Sequence, residues 1–402
     1  MNVLFVASAP PLPPFSGGNV NVYHVLQLLA AEVKVHLVLL APPTVSESGL
    51  CAALHEHGIA VARVYAVPQA RRITNWHRIR SMCLAEAPGP SFIERTVGAA
   101  VRNRIAEALA PSDITLLHVW SPSMAGSLSS LAVRPKIVTF GDSFSLLHLS
   151  YSRSKPFPYS VYHSVAARAF EAYEERVLSS YDHAVFFTDR DLRHAERRST
   201  ANLSVIPNGA TLRRLRATPE LAGPPAVVFH GNYAHFPNMQ AARFLVLELR
   251  RALAERLGER QFVLRLAGQD NGCRLKRLTA RASSVDYVGY VEHLDGFLAG
   301  AQVYCAPIVS GAGMKNKVLD AFSAGLPVVA TPEAVEGLPV RDGEHCLLAQ
   351  PASFVDAVAR VLGDRDLRTR LASGGRAVAE TLSWAAAAQS YLALYRDITR
   401  HI

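Results

Sequence analysis

Two lysines and an aspartate at helical spacing follow a short glycine-rich turn in the second half of the chain. Lys315 and Lys317 come shortly after the small residues 311–313, and Asp320 lies three residues beyond Lys317. Backbone amides at a helix N-terminus and nearby ammonium groups suit phosphate. Lysines in the first turn of a helix oppose its dipole, so an anionic ligand would account for them. The spacing predicts a diphosphate site at Gly313, Met314, Lys315 and Lys317, with Asp320 facing hydroxyl groups beyond it. The alternative is a surface helix with solvated side chains.

The elements around this segment must form one βαβ unit. An apolar run over 303–309 precedes the turn, and a second apolar run covers 326–330. Between them Val318, Leu319 and Phe322 recur at the spacing of one helix face. Strand, tight turn, helix and strand in this order predict two parallel strands joined by a crossover helix.

A similar strand–turn–helix pattern opens the chain. The apolar run 2–7 is followed by a proline-rich turn containing Gly17 and Gly18, and a helical pattern begins near Asn19. This pattern indicates the first βα unit of a Rossmann-like half. The glycine pair is not G-x-G-x-x-G, so a dinucleotide site is not predicted. Tight packing of the helix on the sheet would also account for the pair.

The segment GAGMKNKVLDAFSAGLPVV (311–329) resembles the donor-binding segment of the GT-B glycosyltransferases of family 4 (group 1), and most closely the exopolysaccharide-associated branch. The resemblance implies an α/β fold of two Rossmann-like doubly wound domains facing across a cleft. It also implies metal-independent, retaining transfer of a hexose from a UDP-sugar or GDP-sugar to a hydroxyl, with no other cofactor. In this family the last acidic residue of an E-x7-E motif holds the donor ribose. Asp320 matches that position, whereas the first Glu is replaced by Ala312.

The same resemblance assigns further site residues. The run 285–291 resembles the segment that brackets the donor base, which implies contacts at Tyr290 and Val291. Gly17 and Gly18 match the glycines that approach the transferring sugar. Family members also carry an Arg and a Lys at the positions of Asn232 and Pro237, so we expect Lys315 and Lys317 to replace them.

The first half departs from the family at one candidate catalytic position. Gly141 stands where a His contacts the donor sugar, and Asp142 follows it. Asp142 would either orient and deprotonate an acceptor hydroxyl or cap the following helix. His118 and Ser143 also follow or end apolar runs, which makes them candidates for the cleft. The aromatic and basic region 148–163 is expected to be a loop on the acceptor side.

The pattern of strands and turns divides the chain. Residues 1–210 are predicted to form an N-terminal Rossmann-like acceptor domain, and residues 226–383 a C-terminal donor domain, with a linker between them. The resemblance implies that a last helix, 384–402, packs back on the first domain. Two D-x-D patterns, at 189–191 and 364–366, suit the starts of helices better than a metal site.

Charge and composition limit the partners. The formal net charge of +9 favours anionic ligands, and the absence of RNP-like or zinc-finger patterns argues against nucleic acid. Four arginines between residues 71 and 80 surround Trp76, which indicates either peripheral contact with an anionic membrane or a solvated helix face. Scattered cysteines and an N-terminus unlike a signal peptide favour the cytoplasm. If the basic segment contacts a membrane, it would associate with the inner face.

The resemblance implies a transferase of polysaccharide or glycoconjugate biosynthesis that acts on a sugar or a lipid-linked sugar. Two alternatives stay open. A sugar-nucleotide epimerase shares the GT-B architecture, and loss of the first Glu at Ala312 would also suit a non-catalytic nucleotide-sugar-binding protein.

Overall fold

The computed structural model describes residues 1–12, 17–69, 80, 84, 86–110, 113–133, 135–213, 224–258, 261–270, 272–280 and 282–400. Apart from Arg80, the predicted basic segment around Trp76 lies outside these residues, as does most of the predicted linker. The described chain separates into two compact units. Residues 1–208 and 384–402 form the first unit, and residues 209–383 form the second.

Parallel strands form the centre of the first unit, in the order β3-β2-β1-β4-β5-β6-β7. Their bounds are β1 Asn2–Ala7, β2 Lys34–Ala41, β3 Arg63–Pro68, β4 Leu116–Trp120, β5 Lys136–Gly141, β6 His183–Phe186 and β7 Asn202–Val205. Strands covered on both faces are apolar almost without alternation, and β1 and β2 are buried along nearly their whole length.

Helices connect these strands and cover the sheet. Their bounds are α1 Gly17–Glu32, α2 Glu47–Glu56, α3 Pro88–Thr96, α4 Gly98–Leu109, α5 Pro122–Ala125, α6 Phe144–Ser154, α7 Tyr159–Leu178 and α8 Asp189–Glu196, with a 3-10 turn at Gly126–Leu128. Strand order reverses between β1 and β4, which makes the carboxyl ends of these two strands the topological switch point of this unit.

The second unit repeats this architecture with the strand order β10-β9-β8-β11-β12-β13. Its strands are β8 Ala226–His230, β9 Val263–Ala267, β10 Val285–Gly289, β11 Val303–Ala306, β12 Val328–Ala330 and β13 Leu347–Leu348. Its helices are α9 Phe236–Phe244, α10 Arg250–Leu257, α11 Arg274–Thr279, α12 Leu294–Ala299, α13 Asn316–Ser323, α14 Phe354–Gly363 and α15 Arg365–Thr381; a π segment, Leu245–Leu249, joins α9 to α10, and 3-10 turns lie at Pro332–Val335 and Pro351–Ser353. The predicted βαβ unit is present as β11, α13 and β12, with Tyr304 opposite Val328.

The final helix, α16 (Trp384–Thr399), completes the core of the first unit. The Trp384 ring stacks on His24 of α1 at a centroid distance of 4.9 Å. Deeper in the unit, the Tyr395 hydroxyl lies 2.5 Å from Nδ1 of His118, whose Nε2 lies 2.8 Å from Oγ1 of Thr139. Burial lowers the pKa of His118 to about 3, so this ring is neutral. The prediction that His118 belongs to a cleft is therefore wrong, because it is a core residue paired with α16.

The region 148–163 is not a loop. Helix α6 ends at Ser154 and α7 begins at Tyr159, so only residues 155–158 connect two packed helices. The His148 and His163 rings pack together at a centroid distance of 4.9 Å, and their Nδ1 atoms lie 3.2 Å apart. Burial and the Lys155 charge lower the pKa of both histidines, to about 4 for His148 and about 3 for His163. Neutral rings thus form the apolar contact between the helices.

Candidate functional site

The candidate donor site lies at the topological switch point of the second unit. Its strand order reverses between β8 and β11, and ligands of doubly wound sheets bind beyond the carboxyl ends of such strands. Strand β8 ends at His230, and the loop after β11 leads to α13. Gly311 and Gly313 take positive φ angles of 115° and 70° in this loop, which explains why the turn needs glycine.

Lys315 occupies the N-cap position of α13, where it supports the loop. Its ammonium group donates to the carbonyl oxygen of Ala312 at 2.9 Å and also to that of Gly313. Met314 is buried between these residues. The predicted phosphate ligands Gly313, Met314 and Lys315 therefore form one turn, in which Lys315 holds the backbone at the start of the helix.

Lys317 lies in the first turn of α13 and reaches across to helix α9. Its Nζ donates to Oδ1 of Asn238 and lies 5.6 Å from the centroid of the Phe229 ring. Burial of this ammonium group, together with the charge of Lys315, lowers the pKa of Lys317 to about 7. A cation in this setting gains most when an anion enters beside it.

The first turn of α9 contacts the same loop. His235 is the N-cap of this helix, and Pro237 follows within the first turn. A Cβ added at Gly311 would lie 3.6 Å from Cγ of Pro237. The Ser310 hydroxyl also donates to the side-chain oxygen of Gln240 at 3.0 Å. Two helix N-termini, each with backbone amides that lack intrahelical partners, thus meet near Lys317.

This arrangement bears on the two positions where family members carry cations. Asn232 lies in the turn between β8 and α9, and Pro237 lies in the first turn of α9. The side chain of Asn238 donates to the carbonyl oxygen of Asn232 at 2.8 Å while it accepts from Lys317. The Lys317 ammonium group therefore lies near this segment, in which positions 232 and 237 carry no cationic side chain.

Asp320 is already paired with two cationic or potentially cationic side chains. Its Oδ1 lies 2.9 Å from Nη2 of Arg213, and its Oδ2 lies 3.4 Å from Nε2 of His230. Burial opposes ionisation of Asp320, but the hydrogen bond with His230 and the Arg213 charge outweigh it and hold the pKa of the carboxyl below its usual value. Asp320 is therefore an ionised acceptor, as a ligand for ribose hydroxyls must be.

Arg213 is a site residue that the sequence did not reveal. Its guanidinium also pairs with Asp295 of α12, so it bridges two carboxylates. His230 is held from its other side, because its Nδ1 lies 3.1 Å from the Tyr304 hydroxyl. These partners come from distant parts of the sequence, and their local surroundings carry no signal that would have identified them.

Tyr290 and Val291, the predicted contacts of the donor base, follow the edge strand β10. Gly289, at the end of β10, accepts a hydrogen bond from the amide of Gly268 at 2.7 Å, which ties the ends of β9 and β10 together. The Tyr290 side chain is 50 % exposed and Val291 is half-buried. An exposed aromatic ring at this edge of the sheet is available for stacking on a base.

The remaining predicted residues belong to the first unit. Gly17 and Gly18 are the first two residues of α1, after the switch-point strand β1. Asp142 follows β5 and is half-buried. Ser143, not Asp142, is the N-cap of α6, since its hydroxyl accepts from the amide of Leu146 at 3.2 Å. The capping alternative for Asp142 is therefore wrong. Burial and the Asp142 charge raise the pKa of Tyr151 to about 12, which places the Asp142 carboxylate near that ring.

A buried carboxylate supports this turn from behind. Glu174 of α7 accepts from the amide of Ser145 at 3.0 Å and from the hydroxyl of Ser143 at 3.2 Å. Burial raises the pKa of Glu174 to about 7 despite these bonds. Ser143 is fully buried, so the prediction that it lines a cleft is wrong. Glu174 was not predicted either, because its helix surroundings suggested a solvated face.

The D-x-D patterns mark helix starts, as predicted. Asp191 lies in the first turn of α8 and accepts from the Thr188 hydroxyl and from the amide of Ser143 at 2.9 Å. Asp364 is the N-cap of α15 and accepts from the amide of Leu367 at 2.9 Å. Across the described ranges, no group of three or more His, Cys, Asp and Glu side chains is placed to hold a metal ion.

The second unit matches a known protein family. The family described as "Glycosyl transferases group 1" matches residues 224–364, which include the whole turn from Gly311 to Asp320. The second unit carries a group 1 glycosyltransferase domain. Among curated relatives, the phosphatidyl-myo-inositol mannosyltransferase of Mycobacterium leprae is 25 % identical over 311 residues, or 74 % of this chain and 78 % of its own. The D-inositol 3-phosphate glycosyltransferase of Corynebacterium jeikeium is 25 % identical over 56 % of this chain and 59 % of its own.

Solved structures of other proteins share the architecture. Sucrose-phosphate synthase from Thermosynechococcus elongatus superposes with a TM-score of 0.74 at 19 % identity and covers 100 % of both chains. Anabaena Alr3699/HepE, solved in complex with UDP-glucose, gives a TM-score of 0.66 at 14 % identity over 99 % of this chain and 100 % of its own. The predicted GT-B fold of two Rossmann-like domains is thus confirmed.

Proposed function

We propose that this chain is a retaining glycosyltransferase that moves a hexose from a nucleotide diphosphate sugar to a hydroxyl acceptor. One observation carries the proposal: the N-termini of α9 and α13 meet around the Lys317 ammonium group at the switch point of a group 1 domain. A site of this kind binds two linked phosphates through backbone amides and one buried cation.

The chemistry requires such a cation. When the bond between the sugar and the diphosphate breaks, negative charge develops on the leaving phosphate oxygen. Lys317 lies in a desolvated position, where a fixed positive charge stabilises that oxygen more than it would in water. Amides at Gly313 and Met314 would share the remaining phosphate oxygens. Because side-chain and backbone groups supply the positive charge, the proposed reaction needs no divalent ion.

The other predicted residues position the donor. Asp320 accepts hydrogen bonds from the ribose hydroxyls, and Tyr290 with Val291 borders the base. The UDP-glucose complex of Alr3699/HepE, which has the same fold, supports a nucleotide-sugar donor. We propose Asp142 as the residue that orients the acceptor hydroxyl, with Gly17 and Gly18 bordering the sugar. The names of the mycobacterial and corynebacterial relatives support inositol derivatives as the first acceptors to test.

The group 1 match favours transfer over epimerisation. Two observations keep the non-catalytic alternative in the test. The Asp320 carboxylate is paired with Arg213 and His230, and Ala312 replaces the first Glu of the family motif. A binding protein would hold a nucleotide sugar without consuming it. Transfer and binding must therefore be measured separately.

The experiment measures donor affinity by calorimetry with UDP- and GDP-sugars, with and without EDTA, and then transfer to a panel of hydroxyl acceptors. We expect micromolar binding that EDTA leaves unchanged and that Lys317→Met weakens. Lys276→Met, which removes an exposed lysine of the same unit, is the matched control. Binding that needs added magnesium contradicts the proposed site, and interconversion of donor epimers without acceptor contradicts the proposed reaction. Tight binding with no transfer identifies a binding protein.

A further inference from the structure

The tip of the α6–α7 hairpin exposes apolar side chains to an unusual degree. Phe157 is 81 % exposed, Tyr159 62 % and Val161 52 %. These are the three most exposed large hydrophobic side chains in the described part of the chain, and they lie within five positions. Pro156 and Pro158 flank Phe157 and are exposed as well. Single exposed hydrophobic residues are ordinary on protein surfaces, whereas a group of this kind indicates a contact surface.

The part of the hairpin nearest the tip carries positive charge, whereas the acidic residues of α7 lie from Glu171 onward. From Ser143 to Phe170 the sequence contains Arg153, Lys155 and Arg168 but neither Asp nor Glu. Arg153 and Arg168 are exposed, and Lys155 lies at the tip, where its ammonium group is 4.9 Å from the centroid of the Tyr151 ring. Exposed aromatic and aliphatic side chains next to basic ones are typical of segments that lie in the interface of an anionic bilayer.

Two packed helices support the tip. Helices α6 and α7 pack along their length through the His148 and His163 rings and through Phe144 against Phe170, whose centroids lie 5.3 Å apart. Lys155 Nζ lies 3.0 Å from Nε2 of His163, which fixes the start of the connection. The exposed side chains are thus held outward by a packed helical pair and need not order on binding, which lowers the entropic cost of insertion.

We propose that the α6–α7 tip, residues 153–161, inserts into the headgroup region of an anionic lipid bilayer. Phe157, Tyr159 and Val161 would enter the interface while the exposed Arg153 faces anionic headgroups. The proposal goes beyond glycosyl transfer and does not depend on the donor site.

Size and charge favour a bilayer over a protein partner. The three apolar side chains expose on the order of 400 Å², about half of the ~800 Å² that each side of a stable protein interface buries. A two-fold contact between two copies would also oppose two hairpins of the same charge. Interfacial insertion requires only a few apolar side chains and gains from that charge.

The geometry connects this surface to acceptor chemistry. Helix α6 begins directly after Asp142-Ser143 and ends at the tip, so its length, about 16 Å at the helical rise per residue, separates the candidate acceptor residue from the inserted side chains. A bilayer at the tip would keep a lipid-linked headgroup within reach of Asp142.

The test is co-sedimentation of the full chain with vesicles. One set contains phosphatidylcholine alone, and in the other phosphatidylglycerol replaces part of it. We expect binding to the anionic vesicles, reduced at least about tenfold in the double variant Phe157→Ser/Tyr159→Ser. Leu247→Ser removes a side chain that is 43 % exposed in the second unit, and this control should bind as the unaltered chain does. Arg153→Glu should weaken binding to anionic vesicles alone.

A second measurement locates the inserted residue. Tryptophan introduced by Phe157→Trp should be quenched by brominated lipid beyond the quenching of the unaltered chain. The proposal is overturned if the unaltered chain does not sediment with anionic vesicles, if the double variant binds as well as the unaltered chain, or if both vesicle types bind equally. A concentration-dependent dimer that the double variant abolishes, without vesicle binding, would assign the tip to a second copy instead.

Discussion

The affinity for a nucleotide sugar should depend on pH through Lys317. The free protein holds this side chain with a pKa of about 7, because burial and the Lys315 charge disfavour the ammonium form. A bound diphosphate would favour that form and raise the pKa again. Above pH 7 the donor must therefore bind a site that has lost its cation, or take up a proton on binding.

The size of the effect follows from the pKa. The dissociation constant should rise about tenfold between about pH 6 and pH 8, because the protonated fraction of Lys317 falls from about nine tenths to about one tenth across its pKa. It should rise up to about tenfold again by pH 9, because well above the pKa this fraction falls tenfold per pH unit. At pH 6, Lys317→Met should weaken binding about 10- to 100-fold, which is the range for losing a hydrogen bond to a charged group.

Calorimetry in buffers of different ionisation enthalpy would measure both the affinity and the proton uptake. Lys317→Arg is the informative variant, since an arginine stays charged at every pH in the series. The donor affinity of Lys317→Arg should hardly change from pH 6 to pH 9. The affinity of Lys317→Met should be equally independent of pH but lower. The nearby His235 does not obscure the result, because burial and the Lys317 charge lower its pKa below its usual 6.5.

Two results would refute this reasoning. A flat pH profile in the unaltered chain would show that the Lys317 charge does not contribute to donor binding. A slope that persists in Lys317→Met would assign the titration to another group. A sugar donor suits the assay because its diphosphate is esterified at both ends and does not titrate in this range.

Three further predictions concern stability. Folded Glu174 keeps its proton up to about pH 7 while the unfolded chain loses it near 4.5, so the free energy of unfolding falls across that window by about 3 kcal/mol. Glu174→Gln should remove this fall, as urea unfolding at either end of the window would show. Tyr395→Phe should lower the free energy of unfolding by about 1–3 kcal/mol because it leaves buried His118 without that partner, whereas unchanged stability would exclude a role for the bond. Gly268→Ala should lower the free energy of unfolding by at least about 2 kcal/mol, because φ is 132° and the new Cβ would overlap a backbone carbonyl oxygen. Gly343 has a φ of 71° and nothing within 4 Å of an added Cβ, so Gly343→Ala should lower it by only about 1 kcal/mol. Thermal unfolding of both variants would measure the difference.

The sequence predicted the parts of the fold that depend on local pattern. Buried parallel strands are continuous apolar runs, and the helix between β11 and β12 shows a clear apolar face in Val318, Leu319 and Phe322. The positions of Lys317 and Asp320 on that helix followed from the same periodicity. Their roles in donor binding stay predictions until ligand binding is measured.

The error at 148–163 has a physical cause. Aromatic, basic and proline side chains are mixed in this segment, so its sequence shows no clear helical period. In the folded chain His148 and His163 are neutral because burial lowers their pKa, and they pack as aromatic residues. The prolines at 156 and 158 interrupt the helices only at the connection.

Long-range pairing explains the other differences. Arg213 contacts Asp320, which lies 107 positions away, and His118 contacts Tyr395, which lies 277 positions away. Neither contact produces a periodic pattern in the sequence around its two residues. Glu174 escaped notice for a similar reason, since its partners Ser143 and Ser145 belong to another helix.

The position of α16 sets an order of events during protein synthesis. This helix completes the first unit but is translated after the whole of the second. A nascent first unit therefore has a sheet whose face at His118 and Trp120 lacks the contacts with α16. At ~5–20 residues per second, translation of residues 209–383 prolongs this state by on the order of ten seconds or more. Chains stalled before Trp384 would expose that face of the sheet to chaperones or to one another. In a circularly permuted gene that begins at Trp384, all residues of the first unit would be translated consecutively.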